Sequence, residues 1–233
     1  MFRRLYLNDV AMVAADTTRT QYYIKEIIKH KLLPNYILLL LNNDKDLLPG
    51  QSDSKTDNEL VMLLKKANIQ YDIAPNNDIN SSEVVGMISN RPESVFIFSG
   101  FGGVLLHNNI LEVGKKFLHV HGGYLPKYKG STTNYYSLID ENTIGASSIF
   151  LTKEIDCGPV LLRKKFSAPK DRAEIDHIYD SEARSKVLIE TLKQYVKSGG
   201  WDFELESGKG GETFYIIHPV LKHLAILGGN ALR

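Results

Sequence analysis

Cysteine is almost absent from this chain of 233 residues, in which Cys157 is the only one. A single cysteine cannot form an internal disulfide, and it cannot build a cysteine-based zinc site. Such a composition is compatible with a reducing compartment.

Long apolar runs are also missing. The longest, Tyr36 to Leu41, is far shorter than the roughly 20 residues that span a membrane. The first residues lack the apolar core of a signal peptide. We therefore expect a cytoplasmic protein that does not associate with membranes.

The chain has little excess charge of either sign, with a net charge of +1. Without a global basic field, a mainly electrostatic nucleic-acid binder is disfavoured. The glycine pattern GxGxxG of dinucleotide-binding folds is absent as well, which argues against an NAD site. The expected partner is a small molecule.

Short apolar runs alternate with helical patterns through the first half of the sequence. This alternation is typical of an α/β fold with an open, mostly parallel, Rossmann-like sheet that carries helices on both faces. The predicted strands are 11–15, 36–41, 70–74 and 95–98. The predicted helices are one that starts at Thr17 or Thr18 and stops before Pro34, then 56–67 and 82–90, with a polar loop at 42–54.

The last third of the sequence predicts a helix over 176–196 and then a β-hairpin. Two aromatic-rich segments, 201–205 and 212–217, flank the glycine-rich stretch 207–211. We expect a catalytic α/β domain at 1–170 and a C-terminal helix and β-hairpin extension at 171–233. A β-hairpin of this kind forms a homodimer contact, lines one side of a substrate site, or simply covers the core.

A glycine-rich turn, 99–106, follows the strand predicted at 95–98. Ligands bind at the carboxyl ends of strands in open α/β sheets. Glycine permits positive φ and lets a flat ligand approach the backbone closely. The turn therefore predicts either a site for a heteroaromatic ring or an ordinary tight turn.

His119 and His121 lie two residues apart in a strand-like run, so they project from the same face. Asp156 follows another apolar run, 148–151, and precedes a Gly-Pro turn. A His-Asp pair suits proton transfer. The same three side chains also suit a divalent ion in a metal-dependent hydrolase, which we keep as an alternative.

Three motifs occur in a fixed order. They are Gly-Phe-Gly-Gly-Val-Leu at 100–105, His-Val-His-Gly-Gly-Tyr-Leu-Pro-Lys-Tyr-Lys-Gly at 119–130, and Asp-Cys-Gly-Pro-Val at 156–160. This order resembles the folate-dependent formyltransferases, whose central motif is Asn-x-His-x-Ser-Leu-Leu-Pro-x-Tyr-x-Gly. The resemblance implies the fold of that family, and His119 stands where the family has asparagine.

The resemblance implies a formyltransferase that uses 10-formyltetrahydrofolate as co-substrate and needs no metal. The residues that it implies to be catalytic are His119, His121 and Asp156. Those implied to contact the folate are Phe101, Gly102, Gly103, Val104, Leu105, Leu151, Thr152 and Ile155. Those implied to contact the acceptor are Tyr128, Lys129 and Thr132.

By this resemblance His119 would donate a hydrogen bond to the oxyanion, and His121 would handle the proton. Asp156 would orient His121 and favour its cationic form. Three interpretations of His119 stay open: it replaces the asparagine, the donor or acceptor chemistry has changed, or the protein is an inactive member that binds folate or a partner.

The acceptor is predicted to be a nucleotide-linked amino sugar, as in the sugar N-formyltransferases of the family and in surface-glycan or lipopolysaccharide biosynthesis. The segment after the core has no basic excess, which disfavours tRNA. The stretch 14–17 does not resemble the phosphate-binding segment of glycinamide ribonucleotide enzymes.

Overall fold

The computed structural model describes residues 5–41, 58–203 and 206–228. The chain forms two compact units that divide after Phe117. The boundary that we predict at 170/171 stays a prediction, and the two units are described in turn.

The first unit contains four parallel strands with helices between them. Their order in the sheet is β3-β2-β1-β4. The strands are β1 (Leu5–Ala15), β2 (Leu32–Leu40), β3 (Tyr71–Ile73) and β4 (Val95–Ser99). The helices are α1 (Thr18–His30), α2 (Glu59–Ala67), α3 (Ser82–Ser89) and α4 (Asn108–Leu111).

The sequence of this unit explains why its strands are buried beneath helices. Residues 10–15 of β1 and 37–40 of β2 are apolar and buried, as expected for parallel strands covered on both faces. Thr17 caps α1 by accepting a hydrogen bond from the Thr20 amide at 3.2 Å. The helix then buries one apolar stripe, formed by Tyr23, Ile24 and Ile27.

Helix α1 ends before Pro34, as predicted, but Pro34 is not the residue that ends it. The helix ends at His30, and its C-cap, Lys31, adopts a left-handed conformation with φ of 60°. Pro34 instead lies inside β2, opposite Leu7, where the pairing of β1 with β2 becomes irregular. A proline is tolerated in a strand where the ladder is interrupted, because it donates no backbone hydrogen bond.

Other boundaries differ as well. β1 and β2 begin several residues earlier than predicted. Asn58 caps α2 by accepting from the Leu60 amide at 2.9 Å, so the helix begins at Glu59. The predicted loop at 42–54 and the first residues of the predicted helix 56–67 lie outside the described residues.

The second unit is mainly antiparallel. β5 pairs antiparallel with β7, and β7 pairs antiparallel with β8. Its strands are β5 (Lys116–His121), which begins just before the division, β6 (Tyr128–Gly130), β7 (Thr143–Phe150), β8 (Val160–Ser167) and β9 (Glu212–Phe214). Its helices are α5 (Thr133–Glu141), α6 (Asp180–Ser198) and α7 (Pro219–Leu227).

Among the described residues, which omit 204 and 205, the predicted hairpin pairing of 201–205 with 212–217 is not found. β9 pairs in parallel with β6, which lies far from it in sequence. The Phe214 ring packs against Tyr128 and Tyr136, with ring centroids 5.7 and 4.5 Å apart. β9 is thus part of the predicted second hairpin strand, but it supports the loop of the histidine motif, and α7 follows it.

The α/β class with mostly parallel strand pairing is confirmed. The sequence patterns predicted no element at α5, β8 or α7. The predicted start of α6 at residue 176 is too early, because a five-residue π-helical turn occupies Ile175–Tyr179. Within the described ranges, we find no helix that combines the length and the apolarity needed to cross a membrane.

Candidate active site

β5 presents His119 and His121 on one face, as the alternation of side chains predicts. Their strand partners in β7 are Ile149 and Ser147. His121 is buried, with 5% of its surface exposed, whereas His119 is partly exposed. The two imidazoles therefore lie in different environments although they share a strand.

Asp156 connects the loop after β7 to both β5 and β6. Its Oδ2 lies 3.4 Å from Nδ1 of His121 and accepts a hydrogen bond from the Gly130 amide at 2.8 Å. Its backbone is left-handed, with φ of 52°. Aspartate is one of the few residues other than glycine that visit this region readily, so the loop places the carboxylate at modest cost.

The second ring nitrogen of His121 also faces a protein oxygen. Nε2 lies 2.8 Å from the carbonyl oxygen of Tyr128. A carbonyl only accepts, so Nε2 carries a proton in this ring orientation. A proton that moves through His121 must therefore use the Nδ1 side, next to Asp156, unless the ring turns.

Burial lowers the pKa of His121 below its ordinary value, because desolvation disfavours the charged ring. The Asp156 carboxylate acts in the opposite direction, and the Arg184 guanidinium lowers the pKa further. Asp156 by itself thus favours the cationic ring, as expected, but the effect of burial is larger and the pKa of His121 ends below its ordinary value. The neutral ring is the favoured state.

Gly123 permits the close packing around His121. A Cβ atom at this position would lie 2.5 Å from the Tyr128 carbonyl oxygen and 2.6 Å from Nε2 of His121. The neighbouring turn is held by Ser147, whose hydroxyl donates to the Gly123 carbonyl at 2.7 Å and accepts from the Leu125 amide at 3.0 Å. The glycine of the motif is thus required by the available space.

The ion pair of Asp180 and Arg184 on α6 contacts the backbone of β5. Arg184 donates to the Val120 carbonyl at 2.8 Å and to Asp180 at 2.8 Å. Asp180 also accepts from the Asn134 side chain at 2.9 Å. No motif in the sequence points to these residues, and the only local signal is the spacing of four between Asp180 and Arg184 on a helix.

The three residues predicted to contact the acceptor have protein partners. The Tyr128 hydroxyl donates to Asp140 at 2.6 Å, and Lys129 Nζ lies 3.7 Å from the sulfur of Cys157. The Thr132 hydroxyl accepts from the backbone amide of residue 217 at 2.9 Å. They shape the loop of the motif, and their contact with an acceptor stays a prediction.

The loop after β7 contains three of the residues predicted to contact the folate. Leu151 packs against a buried apolar cluster. The Thr152 hydroxyl donates to the Glu154 carbonyl at 3.2 Å, which holds the loop in a turn. Ile155 is 50% exposed, so it offers apolar surface next to Asp156.

The other predicted folate residues, 101–105, form the turn after β4 in the first unit. Gly103 has a φ of 79°, which a side chain would disfavour. Val104 and Leu105 are exposed, and the Leu105 carbonyl accepts from the Asn80 side chain at 3.0 Å. The turn is tight and presents apolar side chains, and its role in binding stays a prediction.

A cavity of about 550 Å³ lies in the second unit beside the Asp156 loop. Residues 152–154, 157–159 and 206–209 line it, so Cys157 is in its wall. A Cβ atom added to Gly208 would collide with the backbone of Cys157 and Gly158, so the two segments come into close contact at Gly208.

Trp201, the only tryptophan, packs against the end of β7. Its ring stacks on Tyr195 with centroids 4.2 Å apart and meets Phe150 edge-on at 5.7 Å. Phe150 is the last residue of β7, so the aromatic stack supports the start of the Asp156 loop.

Metal ligation was the alternative use of His119, His121 and Asp156. Across residues 5–41, 58–203 and 206–228, no group of three or more histidine, cysteine, aspartate or glutamate side chains is arranged to hold a metal ion.

Comparison with known proteins extends these observations. Residues 8–192 match the Formyl transferase family. A methionyl-tRNA formyltransferase from Thermodesulfovibrio yellowstonii is 32% identical over 98 residues, which are 41% of this chain and 32% of that protein. The chain thus spans about a third of the length of this curated relative.

Solved structures show the same fold at low sequence identity. A sugar N-formyltransferase from Shewanella sp. superposes with a TM-score of 0.59 at 12% identity, covering 94% of this chain and 87% of that one. HypX from Aquifex aeolicus in complex with tetrahydrofolic acid gives 0.58 at 14% identity, covering 91% and 30%. Because its sequence matches over 8–192, the chain belongs to the formyl transferase family.

Proposed function

We propose that this protein transfers a formyl group from 10-formyltetrahydrofolate to the primary amine of a nucleotide-linked amino sugar. The observation that carries the proposal is the buried pair of His121 and Asp156, 3.4 Å apart within the family match. Such a pair is suited to moving the proton that an attacking amine must lose.

The family match supports a folate donor, as does the fold shared with HypX, which was solved with tetrahydrofolic acid. Two separate surfaces of this chain suit a flat ring. One is the exposed Ile155 beside Asp156, and the other is the glycine turn with Leu105. Apolar contacts with a few polar groups are typical of sites for such ligands.

The reaction begins when the unprotonated amine attacks the formyl carbon and forms a tetrahedral intermediate with a negative oxygen. A ring N–H of His119 donates to this oxygen, a type of stabilisation that contributes about 3 to 4 kcal/mol. Asp156, held by the Gly130 amide, receives the proton of the new ammonium group directly or through water. The bond to the folate nitrogen then breaks, and that nitrogen regains a proton.

His119 is suited to the role of donor because it is partly exposed and extends from the same face as His121. A neutral imidazole has one N–H, whereas the asparagine of the motif has two amide protons. The proposal therefore requires that His119 keep one tautomer.

The choice of an amino sugar is supported by the fold shared with the Shewanella sugar N-formyltransferase, which this chain covers over 87% of its length. The net charge of +1 is also compatible with a small acceptor.

Methionyl-tRNA is the second candidate acceptor. It is favoured by the 32% identity to the methionyl-tRNA formyltransferase from Thermodesulfovibrio yellowstonii. The two candidates share the donor and the transfer step, so they differ only in the amine that is offered.

The test incubates the purified chain with 10-formyltetrahydrofolate and either a panel of nucleotide-linked amino sugars or methionyl-tRNA. Mass spectrometry records the gain of one formyl group on the acceptor, and absorbance records the release of tetrahydrofolate. The controls are the same sugars with their amine already acetylated. Formylation of one sugar alone supports the proposal, formylation of methionyl-tRNA alone selects the second candidate, and no product with either rejects both.

A further inference from the structure

Lys129 is a buried cation without a carboxylate partner among the described residues. Its side chain lies in β6 and only 8% of its surface is exposed. Its side-chain partner is the sulfur of Cys157, 3.7 Å from Nζ. Buried ammonium groups normally face an anion, because desolvation of an unpaired charge is costly.

Cys157 is reachable from outside. It is partly exposed and lies in the wall of the cavity of about 550 Å³. A small reagent that enters the cavity meets the sulfur, while the buried Lys129 contacts the same atom from the protein interior. The sulfur thus combines access with an adjacent cation, the surroundings typical of reactive cysteines.

The distance between Lys129 and Cys157 suits an oxidised sulfur. At 3.7 Å the contact is longer than the 2.7–2.9 Å of a charge-assisted N–H···O bond. An oxygen atom bonded to the sulfur, with the S–O bond inclined to the line between the sulfur and Nζ, would bring an acceptor into that range. The ammonium would then face an oxygen acceptor in place of a weakly accepting thiol.

We propose that Cys157 is an oxidation site that hydrogen peroxide converts to a sulfenic acid. The sulfur attacks one peroxide oxygen, so an S–O bond forms while the O–O bond breaks. The sulfur loses two electrons, and the other oxygen leaves as hydroxide, which takes a proton to become water. Lys129 donates to the departing oxygen and then to the oxygen that stays on the sulfur.

The test treats the purified protein with hydrogen peroxide and traps sulfenic acid with dimedone, followed by mass spectrometry of the Cys157 peptide. We expect labelling in the wild type and labelling about tenfold slower in Lys129→Met, the effect of losing one charged hydrogen bond. Lys153→Met is the matched control, because Lys153 is exposed in the same cavity wall and should label at the wild-type rate.

Two further measurements keep the test decisive if Lys129→Met does not fold, which circular dichroism would reveal. Lys129→Arg keeps the charge and should retain most of the labelling rate. The native wild type should also label faster than the same protein unfolded in urea, where Lys129 no longer adjoins the sulfur. A native rate at or below the unfolded rate, or equal rates in the wild type and a folded Lys129→Met, would overturn the proposal.

Discussion

Oδ2 of Asp156 lies 3.4 Å from Nδ1 of His121, and the same oxygen accepts the Gly130 amide at 2.8 Å. One carboxylate oxygen thus ties together β5, β6 and the loop after β7. The position of the loop and the chemistry of the histidine depend on the same atom.

Replacing Asp156 by asparagine should lower the rate of formyl transfer by about 10²- to 10⁴-fold, the usual contribution of a positioned proton-transfer group. The amide keeps the size of the side chain but loses its negative charge. Steady-state kinetics with the acceptor that the formylation assay selects would measure the loss, and thermal melting would check the fold. A wild-type rate in a folded variant would exclude Asp156 from the proton path.

Replacing His119 by asparagine restores the residue that the family motif has at this position. If His119 serves as the oxyanion donor, the variant should keep measurable transfer activity or exceed the wild type, because an amide supplies the same kind of hydrogen bond. His177→Asn is the control, since His177 is exposed on a different element. Complete loss of activity with folate still bound would show that the imidazole does something an amide cannot.

Stability should fall as the pH drops through the range below 6.5. Burial lowers the pKa of His121 from its ordinary value of 6.5, so the unfolded chain takes up a proton at a higher pH than the folded one. His121→Asn removes this group, and the free energy of unfolding should then change less between neutral and mildly acidic pH. Urea unfolding at a series of pH values would measure both slopes, and identical slopes would contradict the assignment.

Replacing Gly123 by alanine should destabilise the protein by about 1 to 3 kcal/mol, the usual range for an overpacked site. The added methyl group would press on the Tyr128 carbonyl and on His121, so transfer activity should fall as well. Gly200→Ala is the matched control, because nothing lies within 4 Å of its added Cβ. Equal unfolding midpoints for the two variants would show that the turn can relax.

Patterns within one element allowed the sequence to predict much of this structure. The continuous apolarity of residues 36–41 identified a covered strand, and the spacing of two placed His119 and His121 on one face. The three ordered motifs identified the family that the match over 8–192 then showed.

Features that depend on residues far apart in sequence were not predictable in this way. β9 is a short strand without apolar alternation, and it pairs with β6 more than 80 positions earlier. The contact of Arg184 with Val120 spans 64 positions. The pKa of His121 depends on how deeply the folded chain buries the ring, and no local sequence pattern predicts that depth.

Trp201, as the single tryptophan, is an intrinsic fluorescence probe at a known position. The single indole is 8% exposed, and its nitrogen has no hydrogen-bond partner in the described part of the chain. It touches Phe150, immediately before the loop that carries Asp156. Intrinsic fluorescence therefore follows one known point beside the candidate active site, without a label and without a second tryptophan to confuse the signal.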